Sequence, residues 1–246
     1  MTEFETELEV FRKEEESARQ FFFSYLSVRT LAANNPDVLR MMNTHPLFWV
    51  TTHYSMLVAA FVALGRIFDQ DSKHNIDRVI GIAAKDLSIF SLDALRARKE
   101  ALQITKEEAA EYVIGKHALT SADVKLLRKQ IDIRRRIYEA RYRDIRHKVF
   151  AHKATADMSE INGMFAKTNI EEMKALFGFL HALHEALWEV FNNGRKLAVK
   201  PYKFVLSTDP VPRHKPLGAP GERIFREGHA VLGLMVPDPD KPGVTG

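Results

Sequence analysis

The sequence predicts a mostly-α protein: a bundle of four long helices with short helices inserted, followed by a proline-rich, non-helical C-terminal tail. Three observations carry this. Apolar residues recur every three to four positions over four long stretches. Three of those stretches end at stop signals, Asn34-Asn35-Pro36, Asp69-Gln70-Asp71-Ser72 and Asn193-Gly194. Eight of the ten prolines fall within 201–246, where proline rules out continuous helix.

Phe4, Leu8, Phe11, Ala18, Phe22, Tyr25 and Leu26 place the first long helix over 4–33. Its early glutamates suit the positive end of the helix dipole. A short helical turn is expected over 37–43. The second long helix runs from Pro46 to Phe68, with proline in the first turn, where its missing N–H costs nothing. It is apolar on most sides, so a central, buried position is expected. Its longest apolar run, Tyr54 to Leu64, has eleven residues, against about 20 for a membrane span. Segments 75–85, 91–101 and 105–115 form an inserted group of small helices within 70–119. Ser91 and Thr105 are N-cap candidates, and Glu108 completes a capping box with Thr105.

The third long helix is expected from Thr120-Ser121 to His152 on the stripe Val124, Leu127, Ile131, Tyr138, Tyr142, Ile145 and Val149, which Arg135 interrupts. The fourth covers 169–193 on Met173, Phe177, Leu180, His184, Leu187 and Phe191. Residues 1–200 are thus expected as one helical domain and 201–246 as an irregular tail. Within the tail, Lys203 to Ser207 and Ala230 to Val236 are candidate short strands.

Composition narrows the chemistry. The 246 residues contain no cysteine, which excludes disulfides, thiolate zinc sites and cysteine nucleophiles. The acidic start, MTEFETELEVFRKEEES, has no apolar core of a secretory signal, and a cytoplasmic protein with no membrane partner is expected. The net charge is only +4, but eleven Lys/Arg and four acids lie between Asp123 and Lys153, a local balance of +7. Such asymmetry points either to a polyanion partner or to a solvated helix face.

The centre of interest is R-D-I-R-H-K-V-F-A-H-K at 143–153. Arg146 and His152 flank the apolar Val149-Phe150-Ala151, with His147 beside the arginine. Arginine is always charged and its planar fork fits phosphate oxygens. Histidine titrates near neutrality and serves as acid or base, typically for about 10²–10⁴ in rate. Together they suit metal-free cleavage of RNA, in which the 2′-hydroxyl attacks the adjacent phosphate. In an ideal helix, with about 100° per residue, Arg146 and His152 lie about 120° apart. Fraying near Ala151, or completion of the site across a two-fold axis by a second chain, would bring such groups together.

Other residues have plainer readings beside functional ones. His152 also suits an interior histidine bonded to a carbonyl, and Arg146 an ion pair with Asp144 or an acid on another helix. Arg143, Lys148 and Lys153 are phosphate-positioning charges or solvated ones. His181, His184 and Glu185 have metal-like spacing, but His184 falls on an apolar face, where a core histidine is commoner. Arg66 and Asp69 suit a structural pair at a helix end. Tyr138 and Tyr142 suit core packing or base stacking. No glycine-rich phosphate loop, H-E-x-x-H or G-x-S-x-G is present.

The wording R-H-K-V-F-A-H, together with G-R-I-F-D at 65–69 closing the second long helix, resembles the HEPN superfamily, and in particular its abortive-infection U-like (AbiU-type) branch. The resemblance covers roughly residues 5–195. It implies a HEPN-like helical bundle and a metal-independent endoribonuclease without cofactor, acting at a homodimer interface. Arg146 and His152 would be the active pair, and His147 the supporting polar neighbour. It also implies RNA as partner, a setting in phage defence or as a toxin, and a regulatory protein or antitoxin as further partner. Some relatives are silenced by modification of a tyrosine two positions after the histidine, which here is Ala154. The alternative is a non-catalytic helical dimer that binds RNA or protein.

Overall fold

A computed structural model describes residues 2–151, 163–206 and 220–235. All the regular structure among them is helical: α1 (Glu3–Asn34), α2 (Pro36–Thr44), α3 (Pro46–Phe68), α4 (Ile76–Lys85), a 3₁₀ turn (Leu87–Phe90), α5 (Leu92–Glu100), α6 (Lys106–Tyr112), α7 (Ser121–Arg141), a π-helical segment (Ile145–Ala151), α8 (Ile170–Asn193) and α9 (Pro220–Leu234). The mostly-α expectation is met. The inserted short helices are α4 to α6 with the 3₁₀ turn.

Local chemistry accounts for the boundaries. Asn35 caps α2 and Asn75 caps α4 through side-chain oxygens that accept backbone N–H bonds. Thr105 with Glu108, and Thr120 with Asp123, close reciprocal capping boxes at α6 and α7. Asn169 caps α8, and Gly194 ends it in the left-handed conformation, φ 58°.

The chain divides into two compact units. The first joins 1–15 to 64–203, and the second joins 16–63 to 204–246. In the first unit, Phe4, Phe90 and Phe191 pack with ring centroids 4.9–5.5 Å apart. Arg135, which breaks the apolar stripe of α7, is nearly buried and satisfied by Asp77 of α4 at 2.6 Å and Asp132 at 2.8 Å. After Gly194 the chain turns back along α8, and the Tyr202 N–H donates to the Gly178 carbonyl at 3.0 Å. A Cβ on Gly178 would collide with the Tyr202 carbonyl, so this close return requires glycine.

The second unit has its own core of Val28, Val38, Met42, Trp49 and Leu232. It shows why the tail departs from expectation. Prolines cluster at 201–220 and 237–242, leaving a proline-free interval of helical period between them. Pro220 sits at the start of α9, where proline is tolerated. Phe225 and Leu232 are buried, and the Ser27 hydroxyl donates to the Phe225 carbonyl at 2.8 Å. The tail is therefore not non-helical: Ala230 to Leu234 belong to a helix rather than a strand, and Lys203 to Leu206 form no strand.

The second long helix also differs from its reading as a central buried element. The C-terminal half of α3 is buried through Ala60, Phe61, Ala63, Leu64, Ile67 and Phe68, but its first turns expose Leu47 (80%), Phe48 and Val50. By length and composition alone, α3 contains an 18-residue window apolar enough to cross a membrane. A strict count of eleven stopped at Thr51, Thr52 and His53, which carry no fixed charge.

Candidate functional site

The site lies in the first unit, where the end of α3 meets the chain that follows α7. The third long helix does not run unbroken to His152. The α-helix stops at Arg141, and the Tyr142 hydroxyl donates to Glu172 at 2.8 Å, with the Asn169 carbonyl a second acceptor within reach at 3.3 Å. Arg141 pairs with Glu172 at 3.0 Å. From Ile145 the backbone widens into the π-helical segment. Such segments are rare and concentrate at functional sites. An α-helical angle per residue therefore does not hold over Ile145–Ala151. His152 and Lys153 lie outside the described residues.

Arg146 is the best-defined functional candidate. Its guanidinium forms an ion pair with Asp69, the last residue of the G-R-I-F-D segment. Its side chain lies directly over Gly65: a Cβ there would fall on Arg146 Nε, Cδ and Cζ. The two quoted segments thus meet, glycine providing the space and aspartate the counter-charge. Asp69 is in turn supported by Tyr138, whose hydroxyl donates to Oδ1 at 3.3 Å. Tyr138 stacks on Phe68 with centroids 5.2 Å apart and planes at 20°. Burial pushes the Tyr138 hydroxyl pKa far up, so it stays a donor at any physiological pH.

Arg66 and Asp69 do not pair with each other, contrary to the helix-end reading. Arg66 turns to Glu14 at 2.9 Å, while Asp69 takes Arg146. Spacing alone does not decide this, since residues three apart on a helix can pair; each side chain instead meets a partner from another part of the chain, Glu14 for Arg66 and Arg146 for Asp69. Burial, and then the nearby Arg66 charge, lower the Arg146 pKa from its ordinary value. Arginine nevertheless remains a cation.

Next to the pair opens a cleft of about 330 Å³, with loop 69–72 on one side and Glu139, Arg143, Arg146 and His147 on the other. His147 Nε2 lies 3.1 Å from Arg146 Nη1 and 3.8 Å from Asp69 Oδ2. If the guanidinium donates to Nε2, the imidazole proton sits on Nδ1. Lys148 stands 3.9 Å from Asp144. The structure thus brings Arg143, Arg146 and His147 to one cleft. Acids Asp69, Asp71 and Glu139 share it, a feature the charge count alone does not convey.

The remaining candidates separate. His181 faces Glu15 at 3.4 Å and His184 faces Glu185 at 3.3 Å, so the two histidines have different carboxylate partners. Among the described residues no group of three or more His, Asp or Glu is placed to hold a metal. Tyr138 and Tyr142 are fully buried and belong to the core. Sequence reasoning gave Gly65 no place in the site, although it opens the quoted G-R-I-F-D segment, and gave Tyr138 core packing or base stacking rather than support of Asp69.

Comparison with known proteins identifies the family. The AbiU2 model of the HEPN families matches residues 1–209. No curated protein and no solved structure matches the chain. With more than half of its length inside that match, including both segments that meet at Arg146, the chain belongs to the AbiU2 branch of the HEPN superfamily.

Proposed function

We propose that the protein is a metal-independent endoribonuclease of HEPN type, acting as a cytoplasmic homodimer in an abortive-infection response. The observation that supports this most is the seating of Arg146 over Gly65 against Asp69, at the edge of a cleft shared with Arg143 and His147. Arg146 binds the scissile phosphate and stabilises its developing charge. His152 moves the proton of the 2′-hydroxyl or of the leaving 5′-oxygen. His147 supports the pair. Arg143, Lys148 and Lys153 position neighbouring phosphates.

Two such sites converge in one groove of the dimer, where two Arg146 and two His152 face a single RNA strand. A toxin held in check by a regulatory protein is the same chemistry under control. The test is RNA cleavage in EDTA by wild type, Arg146→Ala and His152→Ala, with the oligomeric state measured in the same buffer. Cutting by a dimeric wild type, and by neither variant, is the expected result. A stable monomer that still cuts RNA contradicts the shared groove.

One observation favours a second reading, a non-catalytic module that binds RNA or protein. The Arg146 charge is already compensated by Asp69, as in a structural ion pair. RNA binding without cutting by wild type, on any RNA tried, would select that reading.

A further inference from the structure

From the contacts around Arg146 we infer that Gly65 and Asp69 form a dedicated seat for its guanidinium, and that Asp69 is a positioning residue for RNA cleavage. This rests on the ribonuclease reading above. It adds a role for the end of α3.

Three features of the seat are independent of one another. The space is specific: a Cβ at position 65 would meet three atoms of one side chain, Arg146. The counter-charge is specific too, because Asp69 Oδ2 faces Arg146 rather than the nearer-in-sequence Arg66, which is held by Glu14. Finally, the aspartate is itself fixed: its Oδ1 accepts from Tyr138, and its backbone N–H donates to the Gly65 carbonyl at 2.8 Å. A flexible arginine side chain loses rotamer freedom when it must bind phosphate. One held in advance on a rigid helix does not, and orientation of this kind is where misplacement by about 1 Å can cost 10²-fold in rate. Asp69 touches no substrate in this scheme. It acts through Arg146.

Gly65→Ala is an informative variant. Alanine is the better helix former, and the atoms it would displace belong to the far end of one flexible side chain. The fold should survive while Arg146 moves. Asp69→Asn keeps shape and removes the charge. The experiment measures kcat and KM for RNA with wild type, Gly65→Ala, Asp69→Asn, Arg146→Ala and the Asp69→Asn/Arg146→Ala double variant, with thermal unfolding of each.

Both seat variants are expected to unfold cooperatively, above the assay temperature, and to lose kcat on the order of 10²-fold with KM little changed. The double variant should be no worse than Arg146→Ala alone. Wild-type rates in both folded seat variants, with Arg146→Ala inactive, would overturn the seat and leave the ribonuclease reading intact. If wild type cuts no RNA, the ribonuclease reading has failed. The seat is then decided by unfolding: non-additive stability losses for Asp69→Asn and Arg146→Ala support it, and additive ones overturn it.

Discussion

Arg146 shows how much one side chain depends on its surroundings. Its fork meets a carboxylate on one side and lies flat on a helix made bare by Gly65. Lysine in its place would keep the charge but lose the planar pair of donors, so Arg146→Lys is expected to lose most of the cleavage rate, measurable as kcat on a labelled RNA. Tyr142 carries a structural load nearby. Tyr142→Phe removes the hydroxyl that reaches Glu172 and the Asn169 carbonyl, and is expected to cost about 1 kcal/mol in chemical denaturation. The arginine was legible in the sequence as half of an Arg–His pattern. Its partner was not: spacing along one helix suggests Arg66 for Asp69, while the true partner is 77 positions away and is set by packing.

Helix ends were legible because they are local chemistry. Thr105 with Glu108, Asn169 and Asn193-Gly194 act within a few residues, and the structure uses each of them. What failed was what depends on distant contacts. The widening after Tyr142, the helix Pro220–Leu234 and the exposed first turns of α3 are decided by what lies beside them. His184 on α8 offers a test at this scale. Burial first, and the neighbouring His181 charge as well, lower its pKa below the ordinary 6.5, outweighing Glu185 and Glu15. The unfolded chain therefore binds a proton more readily than the folded one. The stabilisation is fully present above about pH 6.5 and is lost as pH falls through the folded value. Thermal unfolding followed from pH 7 to pH 5 should show falling stability, and His184→Gln should flatten that dependence. A second test is Gly178→Ala, which should destabilise by more than a surface change, because the Tyr202 backbone cannot yield as a side chain does.

At the scale of the whole molecule, charge and family both bear on the RNA partner proposed above. A chain of net charge +4 holds a local +7 between Asp123 and Lys153, and belongs to the AbiU2 branch of the HEPN superfamily. If those charges hold single-stranded RNA, affinity falls with salt, by roughly 0.7 in log–log slope for each phosphate contact. Replacing Arg143 and Lys148 by Gln should weaken the slope by about that amount each, read from binding titrations of a His152→Ala protein that does not cut. The most direct measurement is of the cleavage chemistry itself. End-labelled RNA is incubated with wild-type protein in EDTA, beside the same strand carrying a 2′-deoxyribose at the cut site. The account predicts cutting of the first only, leaving a 2′,3′-cyclic phosphate at the 3′ end of the upstream fragment and a 5′-hydroxyl on the downstream one. Cleavage of the deoxy-substituted strand, or a strict need for a divalent cation, would contradict it.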